Sequence, residues 1–380
     1  MNEKRIAIIG GLPESLINFR WPLIQAMAAR ECKLYGYAAG SNAEVSKKFT
    51  ELGGHYSSIH LSRAGLNPIQ DLRTFLVLYK ELKSIAPQVV IAYTIKPVIY
   101  GMIAARLAGV PYRYALITGL GYAFTNGSAS RQRSSIRKIA VNLYKFSLKK
   151  STHIFFQNPD DKKTFEDLKI LDDQQAASIV NGSGVDIHHF SPTPLPPQPI
   201  FLLIARLLKD KGIREYVAAA SEIKKTHPHV IFRLAGPIDP NPSAITKDEL
   251  HQWTQSNIIE YLGSLEDVRP AISNSSCYVL PSYREGTPRT VLEAMAMGRP
   301  IITTDAPGCR ETVQHNVNGL LVPPQDIPAL VKAMKLLLAS SKLRAEMGSN
   351  SREIAVKKYD SAHVADSMVK KMAETASLFT

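Results

Sequence analysis

The stretch CYVLPSYREGTPRTVLEAMAMGRPIITT, residues 277–304, decides the fold. A short apolar run is followed by a segment of helical character and then by a second β-branched run. Thr287 is suited to be the N-cap of the helix, Pro288 to be its first residue, and Gly298 to stop it. We therefore predict a helix over about 288–297 between two strands of a parallel sheet, with its N-terminus at the carboxyl end of the first strand.

The same alternation extends in both directions along the chain. Apolar runs such as IAIIG, VVIAY and FLLIA are separated by longer segments of helical period. Nearly continuous apolar strands alternating with helices are typical of a parallel sheet covered on both faces. The segment SPTPLPPQP at 191–199 has five prolines and interrupts the alternation, which then restarts. The sequence predicts an α/β protein with two Rossmann-like parallel-sheet domains that face each other across a cleft.

The proline-rich interruption gives the domain boundaries. We predict an N-terminal domain over 1–190, a linker over 191–199 and a C-terminal domain over 200–360. Residues 361–380 are expected to form a helix that packs back on the N-terminal domain. The length of 380 residues is two to three times that of a usual domain, which agrees with this division.

Composition and missing motifs disfavour several classes of protein. Three cysteines without paired spacing are typical of reduced thiols in a cytosolic protein. We find no secretory leader and no apolar run approaching the roughly 18 to 20 residues that span a bilayer. Because the sequence has neither Asp-x-Asp nor a cluster with metal-ligand spacing, we expect no metal and no cofactor. Gly10 and Gly11 form only a weak glycine turn, which disfavours a nicotinamide dehydrogenase.

Positive charge is concentrated in the first half of the chain. The formal net charge is +13, and residues 1–190 carry 24 Lys and Arg against 14 Asp and Glu. Between Glu81 and Asp160 there are 11 basic residues and no acidic one. We expect one domain to face an anionic partner. Nucleic acid is the alternative that this charge favours, but the basic stretch lacks interleaved exposed aromatics and a binding motif, so we predict no nucleic-acid partner.

The segment RQRSSIRKIAVNLYKFSLKK, residues 131–150, has seven cations and no anions. At helical spacing its residues Ile136, Ile139, Ala140, Leu143 and Phe146 form one apolar stripe. Such a helix suits an anionic membrane surface, while an ordinary sheet-covering helix with a solvated basic face is the alternative. The residues predicted to contact the membrane are Arg131, Arg133, Arg137, Lys138, Lys145 and Lys149.

The start of the helix at 288–297 is a candidate anion site. Backbone amides around Gly286 and Thr287, together with the helix dipole, favour a phosphate group there. Glu285 and Glu293 flank this point and can accept hydrogen bonds from sugar hydroxyls. The alternative interpretation is that both carboxylates are ordinary charges near a helix.

A second pair of candidates follows the strand FLLIA. Arg206 stands at the end of this strand, and Lys211 lies in the following turn, just before the next helix. One cation at a strand end and a second in the turn that follows suit a diphosphate, which they would neutralise in place of a metal. Solvated loop charges are the alternative interpretation.

Together these motifs resemble one enzyme family. The Glu, seven residues, Glu spacing of Glu285 and Glu293, the Arg206 and Lys211 pair, and VNGSGVDIHHFSP are similar to retaining family 4 glycosyltransferases of the GT-B fold. The stretches LINFRWPLI, SRAGLNP, YTIKPVIYG and YRYALITGLGYAF resemble bacterial members that add sugars to polyprenyl-diphosphate-linked acceptors. The resemblance covers essentially the whole chain.

The resemblance implies a retaining, metal-independent transfer of a hexose or N-acetylhexosamine. The donor would be a UDP-sugar and the acceptor a polyprenyl-diphosphate-linked saccharide, in assembly of bacterial surface glycans or glycoprotein glycans. It implies a cytoplasmic enzyme attached peripherally to the anionic inner face of the cell membrane. Arg206 and Lys211 would contact the donor diphosphate, Glu285 the transferred sugar and Glu293 the ribose. Further donor contacts are implied for Gly11, Gly236, Leu262, Gly263, Gly286 and Thr287.

One stretch departs from the family pattern. Many relatives have a histidine in the first domain opposite the donor sugar, whereas this chain reads YTIKP there. Thr94 and Lys96 are the polar candidates on the acceptor side, and Asn18 lies where some relatives carry another polar residue facing the acceptor. A nucleotide-sugar epimerase on a similar scaffold is the alternative with the same fold.

Overall fold

The computed structural model describes residues 3–61, 67–120, 131–172, 174–239, 241 and 243–376, and of residues 131–136 it describes the backbone. The contacts within the chain divide it into two compact units. Unit 1 comprises Met1–Ser183 with Ala362–Thr380, and unit 2 comprises Gly184–Ser361. Both units contain parallel sheets with helices, so the predicted α/β class with two parallel-sheet domains is confirmed.

Unit 1 has a seven-stranded parallel sheet in the order β3-β2-β1-β4-β5-β6-β7. Its strands are β1 (Lys4–Ile9), β2 (Cys32–Ala39), β3 (His55–Ile59), β4 (Val89–Tyr93), β5 (Tyr112–Ile117), β6 (His153–Phe156) and β7 (Ala177–Ile179). Its helices are α1 (Pro13–Ala28), α2 (Ala43–Glu51), α3 (Pro68–Ile85), a π-helical turn (Pro97–Gly101), α4 (Met102–Leu107), α5 (Arg131–Leu148) and α6 (Pro159–Asp167). A further helix, α13 (Ser361–Ala373), comes from the end of the chain.

The sheet of unit 1 has a hydrophobic core on each face. Side chains of a strand alternate between faces, so Ile6 and Ile8 join the core that includes α1, α2 and α13, while Ala7 and Ile9 join the core under α3 to α6. Tyr114 on β5 ties the last segment to the sheet, since its hydroxyl lies 3.2 Å from the Met372 carbonyl oxygen. On the second face, the helices α3, α4 and α5 pack against the same core and form one layer.

Unit 2 has a six-stranded parallel sheet in the order β10-β9-β8-β11-β12-β13. Its strands are β8 (Ile200–Ile204), β9 (Ile231–Ala235), β10 (Glu260–Tyr261), β11 (Cys277–Leu280), β12 (Ile301–Thr304) and β13 (Gly319–Val322). Its helices are α7 (Ile213–Lys224), α8 (Lys247–Gln255), α9 (Arg269–Ser273), α10 (Arg289–Ala296), α11 (Ile327–Ala339) and α12 (Ser341–Tyr359). Two cores, one on each face, bury the strands of this sheet as well.

The helix predicted over 288–297 is α10, which starts one residue later than expected. Pro288 occupies the N-cap position with an extended backbone, so the prediction that Thr287 is the N-cap is wrong. Proline fixes its own φ near the helical value but does not force ψ, and here ψ is 109°. Thr287 therefore lies in the turn that leads into the helix.

The proline-rich segment 191–199 is held by unit 2. The fully buried guanidinium of Arg299 donates hydrogen bonds to the carbonyl oxygens of Thr193 at 2.6 Å and Pro194 at 3.2 Å. The contacts of the chain likewise place residues 184–199 in unit 2 and divide the chain at Ser183 and Ser361. The predicted boundaries at 190 and 360 and the role of 191–199 as an interdomain linker stay predictions from the sequence.

Candidate active site

The predicted donor-side residues of unit 2 lie at one edge of its sheet. Arg206 follows β8, Gly236 follows β9 and Glu285 follows β11, and these three strands are neighbours in the order β9-β8-β11. Because parallel strands end at the same edge, the three positions come together although up to 79 residues separate them in the chain. Ligands of open α/β sheets bind outside this carboxyl edge.

Lys211 and Glu285 form a direct ion pair at this edge. The Lys211 ammonium donates to the Glu285 carboxylate at 2.6 Å, and the two side chains are only 14% and 15% exposed. Burial by itself lowers the pKa of Lys211, but the attraction and hydrogen bond of Glu285, with help from Asp210, outweigh burial and raise the pKa. Lys211 is thus a fixed positive charge in a place of low water content.

The turn that carries Lys211 is packed tightly against the strand end beside it. Gly212 ends the turn with φ +70°, and a Cβ added there would lie 2.0 Å from the Pro281 carbonyl oxygen. The hydroxyl of Ser282 also donates to the Asp210 carbonyl oxygen at 3.0 Å. Only glycine allows both the left-handed backbone and this close approach, so Gly212 helps to place Lys211 beside Glu285.

A second turn supports Glu285 from the opposite side. The Glu285 amide donates to the Pro307 carbonyl oxygen at 2.9 Å. Gly308 has φ +79°, and a Cβ added there would lie 2.2 Å from the Glu285 carbonyl oxygen and 2.6 Å from that of Gly286. The turn after β12 therefore holds the backbone on which Glu285 and Gly286 stand. Gly308 did not figure among the predicted site residues; a Pro-Gly pair shortly after an apolar strand is the signal that marks such a turn.

The helix α10 begins at the same edge and carries Glu293. Thr290 in its first turn donates to the Ile204 carbonyl oxygen at 3.2 Å, which ties the helix start to the end of β8. Glu293 is buried and accepts from Arg289 at 2.8 Å. Burial raises the pKa of Glu293 to about 7, and the Arg289 guanidinium opposes that rise. Arg289 was not predicted, although its spacing of four residues from Glu293 on a helix is a recognisable signal.

Arg206 lies at the predicted edge but contacts a different carboxylate. Its guanidinium pairs with Asp239 at 3.0 Å, and its side chain is 56% exposed. An exposed guanidinium on a flexible stem can turn towards an incoming anion. Asp239 was not predicted, because nothing in the local sequence connects it with a residue 33 positions earlier.

The predicted backbone contacts at Gly236 and Gly263 are adjacent. The Gly236 amide donates to the Gly263 carbonyl oxygen at 2.8 Å, and the Leu262 amide donates to Leu234 at the same distance. A Cβ at Gly236 would lie 1.8 Å from the Ala205 carbonyl oxygen. These residues form a closely packed backbone surface beside Arg206.

In unit 1, Gly11 and Thr94 lie together at the carboxyl edge of that sheet. A Cβ added at Gly11 would lie 3.2 Å from the Thr94 hydroxyl oxygen. Thr94 has φ +68°, a left-handed backbone that β-branched residues rarely adopt. Strain of this kind, of order 1–3 kcal/mol, clusters at functional sites. Asn18 lies on α1, exposed, in the same unit.

Lys96 forms a largely buried ion pair with Asp71. Its ammonium donates to Asp71 on α3 at 2.7 Å, and the Tyr100 hydroxyl donates to the other oxygen of that carboxylate at 2.9 Å. Burial and the neighbouring carboxylate raise the pKa of Tyr100 far above its ordinary value, so this hydroxyl stays protonated. Neither Asp71 nor Tyr100 was predicted. The acceptor-side roles of Asn18, Thr94 and Lys96 stay predictions.

The basic helix predicted near 131–150 is α5, and it is partly a sheet-covering helix. Tyr144 and Leu148 are buried in the core of unit 1, while Ile139 and Phe146 are exposed. The buried face of α5 is turned towards Tyr144 and Leu148, and Ala140 and Leu143 of the predicted stripe are half-buried, so the stripe as a membrane-facing surface stays a prediction. Arg137, Lys138 and Lys149 are exposed and Lys145 is half-buried. The side chains of Arg131, Arg133 and Ile136 lie outside the described residues, as do 62–66 of SRAGLNP and 121–124 of the YRYALITGLGYAF stretch.

Membrane-spanning helices and metal-binding clusters are both absent from the described part of the chain. No helix in it is both long enough and apolar enough to cross a bilayer. It also contains no group of three or more His, Cys, Asp and Glu side chains arranged to hold a metal ion.

The comparisons with known proteins agree with this arrangement of elements. Residues 186–354 match the family described as glycosyl transferases group 1, and residues 40–158 match glycosyl transferase 4-like. Both the fold and these matches define a glycosyltransferase of the GT-B class, as predicted. The group 1 match lies within unit 2, and the 4-like match lies within unit 1.

Two curated relatives span most of the chain. One is the N,N'-diacetylbacillosaminyl-diphospho-undecaprenol alpha-1,3-N-acetylgalactosaminyltransferase of Campylobacter jejuni, 29% identical over 96% of this chain and 97% of that protein. The other is the UDP-Gal:alpha-D-GlcNAc-diphosphoundecaprenol alpha-1,3-galactosyltransferase of Escherichia coli, 27% identical over 75% of this chain and 74% of that protein.

Solved structures share the fold at lower identity. The sucrose-phosphate synthase of Thermosynechococcus elongatus has a TM-score of 0.81 at 19% identity, covering 98% of this chain and 99% of that one. Anabaena Alr3699/HepE in complex with UDP-glucose has a TM-score of 0.74 at 18% identity, covering 97% of this chain and 99% of that one.

Proposed function

We propose that this glycosyltransferase moves a hexose or N-acetylhexosamine from a UDP-sugar to a polyprenyl-diphosphate-linked saccharide. The names of the two curated relatives support the acceptor, since both act on diphospho-undecaprenol-linked sugars, and one of them names a UDP-sugar donor. The observation that carries the proposal is the buried pair of Lys211 and Glu285 at the sheet edge where α10 begins.

The residues of unit 2 have distinct roles in this proposal. Lys211 and Arg206 neutralise the donor diphosphate, and the start of α10 with Gly286 and Thr287 adds amide hydrogen bonds and the positive helix end. Glu285 accepts hydrogen bonds from the transferred sugar while it orients Lys211. Glu293 accepts from the ribose hydroxyls, and the backbone of Gly236, Leu262 and Gly263 adds further donor contacts.

The chemistry that this arrangement supports is departure of the diphosphate. As the bond between the anomeric carbon and the phosphate oxygen breaks, negative charge grows on the leaving oxygen, and the Lys211 ammonium stabilises it. In the retaining route, the acceptor hydroxyl forms the new bond on the face that UDP leaves, and its proton passes to the departing phosphate. We propose that the cations of the chain supply the stabilisation that a bound metal supplies in other transferases.

Unit 1 takes the acceptor in this proposal. Gly11 and Thr94 stand at the carboxyl edge of its sheet, and the Thr94 hydroxyl is the polar group beside that glycine turn. With Asn18 and Lys96 they form the acceptor side. The basic residues of α5 support peripheral attachment to an anionic membrane, where a polyprenyl-linked acceptor resides.

The test of the leaving-group role is the variant Lys211→Ala. Because it removes a preorganised charge that acts in the transition state, we expect turnover to fall by about 10²-fold or more. The assay follows labelled sugar from UDP-sugars to a polyprenyl-diphosphate saccharide, with and without a chelator. Circular dichroism checks that the variant stays folded.

Lys209→Ala is the matched control, because Lys209 is exposed in the same short turn. This variant should keep turnover near that of the wild type. Near-normal turnover of Lys211→Ala would overturn the role of Lys211. An epimerised sugar nucleotide formed without transfer would overturn the proposed reaction, and loss of transfer with chelator would overturn its metal independence.

A further inference from the structure

We infer that the outward face of α3, α4 and α5 docks on an anionic bilayer and that α3, not α5, inserts into it. This inference deepens the proposed function, on which it rests for the membrane-bound acceptor. The apolar side chains that unit 1 leaves exposed are concentrated on this one layer of helices. Its exposed members are Ile69, Leu72, Leu76 and Val77 on α3, Leu107 on α4, and Ile139 and Phe146 on α5.

The apolar residues of α3 form a stripe along the helix. Ile69, Leu72 and Leu76 are three and four residues apart, so they share one face. Their exposed fractions are 68%, 56% and 44%. The buried face of the same helix is formed by other residues, including Leu78 and Leu82. The core of unit 1 therefore does not use this stripe, and a stripe of leucine and isoleucine facing water is typical of an interaction surface.

A groove beside the stripe adds to this apolar surface. It has a volume of about 290 Å³ and is lined by Pro68, Leu72 and Phe75 of α3, Ile103 of α4, and Asp71 and Tyr100. The Asp71 carboxylate is already bonded to Lys96 and Tyr100, so the polar groups at the groove are paired with each other. What the groove offers to a ligand is mainly hydrocarbon, which suits the chain of a lipid.

The charge of this layer matches anionic headgroups. Arg73 and Lys80 on α3 and Arg137, Lys138 and Lys149 in and after α5 are exposed. Between Glu81 in α3 and Asp160 in α6 the sequence has no acidic residue. Cations around an apolar patch are the usual composition of a surface that binds anionic membranes. A nucleic acid would match the charge but not the leucine and isoleucine stripe.

Arg106 on α4 places a cation against an exposed apolar side chain of this layer. Its guanidinium carbon lies 4.4 Å from the centre of the exposed Phe146 ring. An arginine stacked on an exposed aromatic residue can keep its charge at the headgroups while the ring enters the interface. This contact joins α4 and α5 to the same surface.

The position of the stripe at the sheet edge fits delivery of the acceptor. α3 starts after β3, and the π-helical turn with Tyr100 follows β4, so the groove lies towards the carboxyl edge of the sheet. Gly11 and Thr94, the proposed acceptor side, follow β1 and β4 at that same edge. A bilayer on this face would present lipid-linked diphosphates next to the residues proposed to receive them.

The first experiment measures vesicle binding by co-sedimentation. The full-length variant Ile69→Ser/Leu76→Ser should bind vesicles of phosphatidylethanolamine and phosphatidylglycerol at least about tenfold more weakly than the wild type. Leu336→Ser/Val356→Ser on α11 and α12 is the matched control, since these side chains are 48% and 40% exposed in unit 2. Equal binding by the α3 variant and the wild type would overturn the inference.

A second experiment separates the charge contribution. Lys138→Gln/Lys149→Gln should weaken binding to the same vesicles, while Lys332→Gln/Lys335→Gln on α11 should not. Binding to pure phosphatidylcholine vesicles should be weak for every variant, and added salt should reduce binding to anionic ones. Salt-independent binding that is equal on both vesicle types would contradict the charge match.

Activity measurements distinguish failure of this inference from failure of the proposed function. With a short-chain, water-soluble acceptor diphosphate, Ile69→Ser/Leu76→Ser, which leaves the groove lining unchanged, should retain wild-type turnover and lose it only with acceptor in vesicles. If the wild type transfers no sugar to either acceptor, the proposed function fails while the vesicle result stands by itself. If the α3 variant instead abolishes self-association in sedimentation velocity and leaves vesicle binding intact, the surface binds a second copy and the inference is overturned.

Discussion

Glu293 is a residue whose charged state the fold opposes. Its carboxyl group is buried in α10, and burial raises its pKa from the ordinary 4.5 to about 7 despite Arg289. A carboxyl group with a raised pKa holds its proton more tightly in the folded chain than in the unfolded chain. The free energy of unfolding must therefore fall as the pH rises from about 4.5 to about 7, and it stays low above that.

The variant Glu293→Gln isolates this effect. It keeps the size of the side chain and an oxygen that can accept from Arg289, but it removes the charge. Well above pH 7 we expect the variant to be more stable than the wild type by up to about 3 kcal/mol, and below pH 4.5 we expect no gain. Urea unfolding at both pH values measures the difference.

Glu346→Gln on α12 is the control, because the Glu346 side chain is exposed and its replacement should change stability little. A Glu293→Gln protein that is less stable than the wild type at alkaline pH would contradict the account.

The stability that the charge of Glu293 costs the fold also has a functional meaning. A buried carboxyl group kept at the sheet edge against its own desolvation is the kind of group that ligand binding uses.

At the level of elements, the turn after β12 determines where Glu285 stands. Gly308 has both a left-handed backbone and backbone oxygens of Glu285 and Gly286 within 2.6 Å of any added Cβ. Gly308→Ala should therefore push the Glu285 turn away and separate Glu285 from Lys211. We expect turnover to fall at least about tenfold and the affinity for UDP to weaken. Isothermal titration with UDP and the transfer assay measure the two effects.

Gly109→Ala is the matched control for the backbone alone. Gly109 has φ +82° and nothing within 4 Å of an added Cβ, so this variant has the strain without the displacement. Gly109→Ala should lose about as much stability as the left-handed backbone alone costs Gly308→Ala. It should keep the turnover of the wild type. If Gly109→Ala and Gly308→Ala lowered turnover equally, displacement of the Glu285 turn would not be the cause.

The elements also show what a single sequence can and cannot predict. The order of strands and helices and the edge position of Arg206, Lys211 and Glu285 follow from local periodicity, because helix and strand signals are confined to a few residues. Partner choice is not local. Arg206 pairs with Asp239 and Lys96 with Asp71, 33 and 25 residues away, and only the packed sheet brings these groups together.

Which face of α5 is buried is not local information either. Ile139, Leu143 and Phe146 have helical spacing with several other apolar residues of α5, so the sequence allows more than one buried face. The sheet selects the face with Tyr144 and Leu148, because those side chains fit the core of unit 1. The sequence therefore predicts that α5 is basic and amphipathic, but it does not predict which of the residues of α5 face outwards.

At the scale of the whole molecule, the ends of unit 2 are fastened to each other. The Val185 amide donates to the Tyr359 carbonyl oxygen at 2.7 Å, and the Ser361 amide donates to the Val185 carbonyl oxygen at 3.0 Å. Gly184 lies so close that a Cβ would be 2.5 Å from the Ser361 Cα. Unit 2 thus begins and ends at one point, and residues 191–199 belong to its body.

Arg299 holds the segment 191–199 on the body of unit 2. Its guanidinium is fully buried, burial lowers its pKa to about 10, and it donates to Thr193, Pro194 and Ser275. Arg299→Met removes the donors and leaves three carbonyl oxygens without them. We expect unit 2 to lose about 2–4 kcal/mol of stability, and the amides of 184–195 to exchange hydrogen faster. Lys225→Met, which breaks an exposed pair with Glu222 on α7, should change neither. Unchanged exchange over 184–195 in the Arg299 variant would mean that other contacts hold the segment and that its proline content alone makes it rigid.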